Sequence, residues 1–303
     1  MTGGAGFIGS NLVRMLLDDH CRDVVVLDDL SSGYALNVQD LAVRSITGDV
    51  ADSAPIAEAT RGCDTVFHLA ASVGNKRSID HPFEDARVNL MGTLNVLEAA
   101  RRARVRKVVF SSSAGIFGEL RRIPIRESHP VNPLTPYGVS KLAAEKLCLA
   151  YAHLYEIECV ALRYFNVYGP HQRYDAYGNV IPIFVHRMLK GEPLLVYGDG
   201  EQTRDFVNVR DVAQANVKAA LARGVSGAFN IASGTAVSIN RLIELLGEAA
   251  GQRPEVQHVE PRPGDVRDSL ASIAAARRRL GYRPVVGLAE GLVEYVDWAR
   301  RAA

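Results

Sequence analysis

The sequence is short of the features that would tie it to a membrane, a nucleic acid, a metal or an oxidising compartment. No apolar run approaches the ~20 residues of a membrane span. The first residues carry neither a basic leader nor a small-residue cleavage site, so secretion is not expected. Neither sign of charge dominates: 35 Lys and Arg stand against 34 Asp and Glu, which leaves no overall field to draw the chain to nucleic acid or an acidic surface, and any anion site must be local. Cysteine is scarce. Cys21, Cys63, Cys148 and Cys159 form no C-x-x-C, and none sits beside histidine at metal-ligand spacing, so free buried thiols, no metal and a reducing cytoplasm are expected. Internal repeats and low-complexity linkers are absent as well. What the 303 residues do hold, with 48% of them apolar, is material for one large domain or two ordinary ones.

Glycine is concentrated where it matters. Residues 1 to 10 read M-T-G-G-A-G-F-I-G-S, with Gly3, Gly6 and Gly9 at three-residue spacing and G-x-G-x-x-G satisfied from Gly4. Such glycines let a backbone turn tightly and approach a pyrophosphate, and the periodic Leu12, Val13, Leu16 and Leu17 continue as a helix whose N-terminus would face that anion. Val24 to Asp28 then reads as a buried parallel strand ending in Asp28 and Asp29, about twenty residues past the glycines, where a carboxylate suits a ribose hydroxyl pair and repels an extra phosphate. NAD is therefore expected over NADP. A strand feeding the glycine turn is also required, and only Met1 and Thr2 stand there. The sequence leaves two readings, a chain that continues ahead of Met1, which we adopt as the expectation, or a sheet without its middle strand.

Short apolar runs alternate with helical patterns from Gly3 to Arg163: strands are expected at Val24–Asp28, Val43–Thr47, Thr65–Leu69, Lys107–Ser111 and Glu158–Arg163, and helices at Ala54–Arg61, Phe83–Ala103 and Pro136–Tyr155. This is the pattern of an α/β doubly wound parallel (Rossmann) sheet. Beyond Tyr168-Gly169-Pro170 the texture changes to loops, including Pro193 to Asp199, and mixed short elements. We expect residues 1–168 to form a dinucleotide-binding domain, with 205–231 returning to it, and residues 169–303 a smaller α/β substrate-binding part. Asp49 closes the second strand and is either an acceptor for an adenine amino group or a helix N-cap.

Two stretches carry candidate chemistry. Ser111, Ser112 and Ser113 follow an apolar strand, which places their hydroxyls at the carboxyl end of the sheet, where open α/β folds bind ligands. Thr135-Pro136 opens a helix, and Tyr137 and Lys141, four apart, share one face of it. A lysine ammonium and an oxidised nicotinamide beside a phenol would draw its pKa down from about 10 toward neutrality, the range of a general base.

With these residues in view the chain resembles the extended short-chain dehydrogenases/reductases, and among them nucleotide-sugar epimerases of the UDP-glucose 4-epimerase type. The matching stretches are T-G-G-A-G-F-I-G (2–9), D-D-L-S-S-G (28–33), H-L-A-A (68–71), S-S-S (111–113), Y-G-V-S-K (137–141), R-Y-F-N-V-Y-G-P (163–170), R-D-F-V-N-V (204–209) and R-P-G-D (262–265). The resemblance implies NAD bound by Gly3, Gly6 and Gly9 with Phe7 and Ile8 of the same turn, by Asp28 at the adenosine ribose, by Asp49 and Val50 at adenine, by Leu69, Ala70 and Ala71 along the cofactor wall, and by Asn89, Ser111, Tyr137 and Lys141 toward the nicotinamide. It implies Tyr137 as the catalytic base, Lys141 as its cationic partner and Ser113 as the hydroxyl on the sugar oxygen. Asn166, Arg204, Arg262 and Asp265 match residues that hold UDP, although Arg204 with Asp205 and Arg262 with Asp265 would also make ordinary ion pairs.

Ser269, four past Asp265, matches a position beside the sugar's carbon 2 substituent that is bulky in some members. Here it is small, which suits N-acetylated sugars, unless Ser269 only caps the next helix. The implied reaction is inversion at carbon 4 through a transient 4-keto sugar. A 4,6-dehydratase would need an Asp-Glu pair where this chain has Ala114 and Gly115, and a non-catalytic NAD or nucleotide-sugar binder would have no use for Tyr137, Lys141 and Ser113. A homodimer paired through the helices at 83–103 and 136–155 is expected from the resemblance.

Overall fold

Val24 to Leu27 and Val108 to Phe110 are apolar at consecutive positions rather than alternate ones, so the strands they form must be covered on both faces. A computed structural model, which describes residues 1–19, 23–174, 178–261 and 266–302, shows how this is met. The first half runs α1 (Phe7–Asp18), β1 (Val25–Asp28), β2 (Arg44–Thr47), α2 (Ser53–Thr60), β3 (Thr65–His68), α3 (Asn75–Asp80), α4 (Pro82–Ala86), α5 (Gly92–Arg102), β4 (Lys107–Ser113), α6 (Pro136–Leu154) and β5 (Glu158–Tyr164). The second runs β6 (Asn166–Tyr168), α7 (Val180–Leu189), β7 (Leu194–Tyr197), β8 (Thr203–Asn208), α8 (Val209–Leu221), β9 (Gly227–Ile231), β10 (Ala236–Ser238), α9 (Ile239–Ala250), β11 (Val256–Val259), α10 (Ala274–Leu280) and α11 (Leu288–Ala302).

The main sheet is parallel throughout, β1 beside β2 and then β3, β4, β5 and β9 in that order. Thr2 joins the two parts by bridging Leu27 on one side and His68 on the other. Leu27 N donates to Met1 O (2.8 Å), Thr2 N to Phe67 O (2.9 Å) and Leu69 N to Thr2 O (3.1 Å). Met1 and Thr2 thus stand in the place of the middle strand, and the order is that of a dinucleotide-binding sheet with its crevice between β1 and β3.

Side chains alternate across this sheet. Val66, Val108, Phe110, Cys159 and Ala161 pack with α2, α5 and α6, whereas Phe67, Val109, Val160 and Leu162 pack with α1 and α8. The free thiols of Cys148 and Cys159 are buried and that of Cys63 half-buried; Cys21 lies outside the described residues. A second unit carries the sheet β10-β8-β6 and the pair β11-β7 around Phe184, Leu194, Phe206, Leu242, Leu246 and Tyr295. Here the sequence reading needs correction: Pro193 to Asp199 is not all loop, because Leu194–Tyr197 is β7, paired in parallel with β11 some sixty residues on. No helix among the described residues is long and apolar enough to cross a membrane.

Candidate functional site

Two close approaches explain Gly9 and Gly3. A Cβ on Gly9 would lie 2.1 Å from Gly3 O, so only glycine lets the first turn of α1 sit on the preceding turn. Gly3 has φ +68°, and a Cβ there would meet Ala70 N at 2.6 Å, because the wall Leu69, Ala70 and Ala71 passes directly over it. Gly6 differs: its Cβ would find only Gly3 O within 4 Å, so the mouth of the turn stays open beside the start of α1. Gly6 is the N-cap residue and supplies no capping side chain, while the Phe7 and Ile8 side chains pack into the core beneath. Open space, first-turn N–H groups and a positive dipole end are the donor set for a diphosphate.

Asp28 ends β1 at this turn, its Oδ2 accepting from Ala5 N (2.9 Å) and its Oδ1 from Leu30 N (2.9 Å). Burial pushes its carboxyl up, against those two donors. Asp49 accepts from Ala51 N (2.7 Å) and pairs with Arg87 (2.7 Å); the N-cap of α2 is Asp52, which removes the capping alternative for Asp49. Val50 is buried against Gly92, and Asn95 Nδ2 donates to its carbonyl (3.2 Å). These residues fit a dinucleotide across the crevice, with the acidic group on the ribose side.

A line of buried polar groups runs from the glycine turn to the catalytic helix. Thr93 Oγ1 donates to Asn89 O (2.6 Å), so it can only accept from His68 Nε2 (2.9 Å), and His68 Nδ1 then accepts from Thr2 Oγ1 (2.7 Å). Burial holds the imidazole neutral, its pKa lowered to about 3 from 6.5. A proton on Nδ1 would face a donor, so protonation is favoured only in the unfolded chain. Stability from this group is present above pH 6.5 and should fall by about 1.4 kcal/mol per pH unit as pH drops from there toward 3. Urea unfolding of the wild type and His68→Gln at pH 7, 6 and 5 checks it, the wild type losing more; parallel losses would exclude His68 as the cause.

Asn89 itself is fully committed: the two N–H groups of Nδ2 are shared among Ser72 O (3.0 Å), Asp85 Oδ1 (2.9 Å) and Ser140 Oγ (3.2 Å), and Oδ1 accepts from Ser72 N (2.9 Å). It is placed by an i→i+5 turn over Arg87–Met91 that joins α4 to α5. Sequence reasoning found Asn89 and missed Asp85, Thr93, Ser140 and His68. The spacing of four between the polar positions 85, 89 and 93 inside an apolar helix was the available signal.

The serine run splits. Ser111 Oγ lies 3.1 Å from Tyr164 Oη, which also meets Asn216, so the hydroxyl proposed for the cofactor side is engaged with the core. Ser112 turns the other way and donates to Glu145 Oε2 (2.7 Å). Glu145 in turn takes Nε (3.0 Å) and Nη2 (2.7 Å) of Arg163, a bidentate pair buried between α6 and β5. Ser113 faces the site, accepting from Gly115 N (3.1 Å).

Tyr137 stands in the first turn of α6, capped by Thr135, whose Oγ1 accepts from Gly138 N (3.2 Å). A Cβ on Gly115 would lie 3.3 Å from Ser113 Oγ and 3.7 Å from the Tyr137 ring, so serine, tyrosine and the gap between them form one surface. The expected downward pull on the phenol is not found in the chain alone. Burial raises its pKa, the Ser113 hydroxyl lowers it and the Asp85 carboxylate raises it again. Lys141 is buried with Nζ 4.5 Å from the centre of the Phe110 ring, and burial lowers it to about 8.

On the substrate side, Ser113 pairs with Tyr164 in the sheet, and Asn166 follows two residues later at the start of β6, its Nδ2 donating to Asp205 O (3.2 Å). Arg204, on the neighbouring strand β8, donates to Thr203 O (2.8 Å). Asp205 does not supply its counter-charge. It is buried, and its carboxylate accepts from Ser233 and from the backbones of Gly234 and Ala271. Ser269 N donates to Thr203 O (3.2 Å), which brings this buried serine beside Arg204. Because α10 starts at Ala274 with Ile273 as its cap, Ser269 is no N-cap. Arg262 and Asp265 lie outside the described residues.

The chain belongs to the NAD dependent epimerase/dehydratase family, whose model matches residues 1–232, and its cofactor is NAD. It is similar to the UDP-glucose 4-epimerase of Mycolicibacterium smegmatis, 40% identical over 315 residues that take in 99% of this chain and 97% of that protein. A dTDP-glucose 4,6-dehydratase of Streptomyces niveus is 35% identical over 313 residues, 99% of this chain and 92% of that protein. Among solved structures, UDP-N-acetylglucosamine 4-epimerase from Methanobrevibacter ruminantium M1, in complex with UDP-N-acetylmuramic acid, matches with a TM-score of 0.95 at 36% identity, covering 100% of this chain and 97% of that one.

Proposed function

We propose that this protein inverts carbon 4 of a UDP-sugar, taking UDP-glucose and UDP-galactose and also their N-acetylated forms. The observation that carries the reading is the surface made by Ser113, Gly115 and Tyr137 at the carboxyl edge of the sheet, with Lys141 one turn behind. It holds a base and a hydroxyl for one sugar oxygen. Where a dehydratase needs an acid for carbons 5 and 6, it holds only the hydrogen of Gly115 and the methyl of Ala114.

Gly3, Gly6, Gly9, Phe7 and Ile8 would bind the diphosphate of NAD, Asp28 its adenosine ribose, Asp49 and Val50 the adenine, and the 69–71 wall with Lys141 the nicotinamide half. Asn89 acts on that half by fixing the Ser72 loop, since its own amide is already engaged. When bound, NAD would supply a reversible hydride acceptor for carbon 4 and, in its oxidised form, positive charge near the phenol. Tyr137 removes the hydroxyl proton from oxygen 4 and later returns it, Ser113 holds that oxygen, and Lys141 stabilises the phenolate. Asn166, Arg204, Arg262 and Asp265 keep the UDP end anchored while the 4-keto sugar turns over.

In this reading residues 1–168 with 205–231 carry the cofactor and 169–303 the nucleotide sugar. The protein pairs with a second copy through the α4–α5 and α6 helices, where Phe83 (91% exposed), Met91, Val139 and Leu154 leave apolar surface facing outward; sedimentation reports that state. The function is tested by incubating the protein with a panel of UDP-sugars and following the 4-epimer by NMR. NAD bound without turnover of any sugar would favour a non-catalytic binder, and a 4-keto-6-deoxy product a dehydratase.

The small Ser269 beside Arg204 supports the wider sugar range. Ser269→Tyr should cost UDP-N-acetylglucosamine far more kcat/KM than UDP-glucose, because filling a pocket rejects the larger ligand selectively. Equal losses on both would remove Ser269 as a gate.

A further inference from the structure

Asp85 is buried at 1% exposure on α4, which packs against α6, and it has one oxygen to spare. Oδ1 accepts from Asn89, whereas Oδ2 is enclosed and has no hydrogen-bond partner among the described residues. Taking a carboxylate out of water without a partner is costly, so a compensating charge is called for. Among the described residues, the cation that the packing of α4 on α6 brings toward this carboxylate is Lys141, 3% exposed, packed on the Phe110 ring and next in sequence to Ser140, which shares the Asn89 amide with Asp85; the two charges form no direct ion pair.

The other ionisable groups around Lys141 are already spent. Glu145 is neutralised by its bidentate pair with Arg163, His68 is held neutral, and burial keeps the Cys148 thiol protonated. Arg87, two residues beyond Asp85, is engaged outward with Asp49 and Glu84. Asp85 is left as the uncompensated carboxylate acting on both Lys141 and Tyr137.

We propose that Asp85 is the counter-charge of Lys141 across the α4–α6 packing, a positioning residue that keeps the ammonium protonated behind Tyr137 while Asn89 holds the carboxylate in register. Removing one negative charge from such a cluster moves every nearby titration the same way. Lys141 loses its proton at lower pH, and Tyr137, no longer opposed by a carboxylate, ionises at lower pH too.

The inference rests on Tyr137 and Lys141 serving as base and cation, and the test separates the two claims. In Asp85→Asn, and in Asp85→Ala should the first fold poorly, both limbs of the pH profile of kcat are expected to move to lower pH by roughly one unit. That shift leaves turnover on the alkaline limb roughly tenfold down while KM stays within about threefold. Asp85→Glu, which keeps the charge, should hold the limbs in place. Independently of substrate, the Lys141 ε-carbon followed by ¹³C NMR, assigned with Lys141→Arg, should titrate at lower pH in Asp85→Asn. Limbs that stay at wild-type pH while kcat falls, or a Lys141 titration unchanged by the substitution, would overturn the proposal. Full turnover by Tyr137→Phe alongside a shifted Lys141 titration would leave the counter-charge standing and remove only the base assignment.

Discussion

Tyr137→Phe is expected to lower turnover of a UDP-sugar by at least roughly a hundredfold, the lower end of what a general base contributes. The substitution keeps the ring that closes the gap over Gly115 and removes one oxygen, so packing at the start of α6 should be unchanged. What is lost is the atom next to the Ser113 hydroxyl that can exchange a proton with the sugar. Lys141→Ala should fall by a similar factor, since burial brings the phenol up and the buried ammonium of Lys141, one turn along α6, is the protein's charge proposed to hold the phenolate. Epimer formation by NMR, with the melting temperature as a control, measures both. Near wild-type turnover by Tyr137→Phe would show that the proton moves elsewhere.

Arg163→Leu is expected to destabilise the fold by about 3–5 kcal/mol, the range for removing one partner of a buried ion pair. The loss would not reflect the strength of the pair as such. Glu145 is fully buried, and once its two guanidinium bonds are gone its charge is left with only the Ser112 hydroxyl. Removing both charges, in Arg163→Leu with Glu145→Leu, should recover much of the loss because no uncompensated ion remains. Denaturant midpoints decide the matter, and a single substitution costing under about 1 kcal/mol would mean that water reaches Glu145.

Tyr137 and Lys141 could be read together in the sequence because four residues on a helix put them on one face whatever the rest of the chain does. Asp28 was readable for a similar reason, as the last residue of an apolar run. Asp85 was missed although it stands four before Asn89, because its residue type alone does not set it apart from Glu84 beside it, which is exposed and paired with Arg87. Only the packing of α4 on α6 buries one and leaves the other in water. The strand Leu194–Tyr197 was missed because its partner, Val256–Val259, is distant in sequence and Pro193, Gly198 and Gly200 around it read as turns. The upward push of burial on the phenol was not visible in the motif, since desolvation depends on the whole enclosure, whereas a neighbouring charge can be seen in the sequence.

The i→i+5 turn at Arg87–Met91 sets what length changes the chain can accept. It acts as one extra residue spliced into an otherwise continuous helix from Pro82 to Arg102. Deleting a single residue there would restore a regular helix and swing everything ahead of it by about 100°, carrying Asp85 out from under α6 and leaving Asn89 without Ser72. Relatives of this chain should therefore gain and lose residues in the surface loops, while the count between His81 and Thr93 stays fixed, an insertion that has become part of the reading frame of the site.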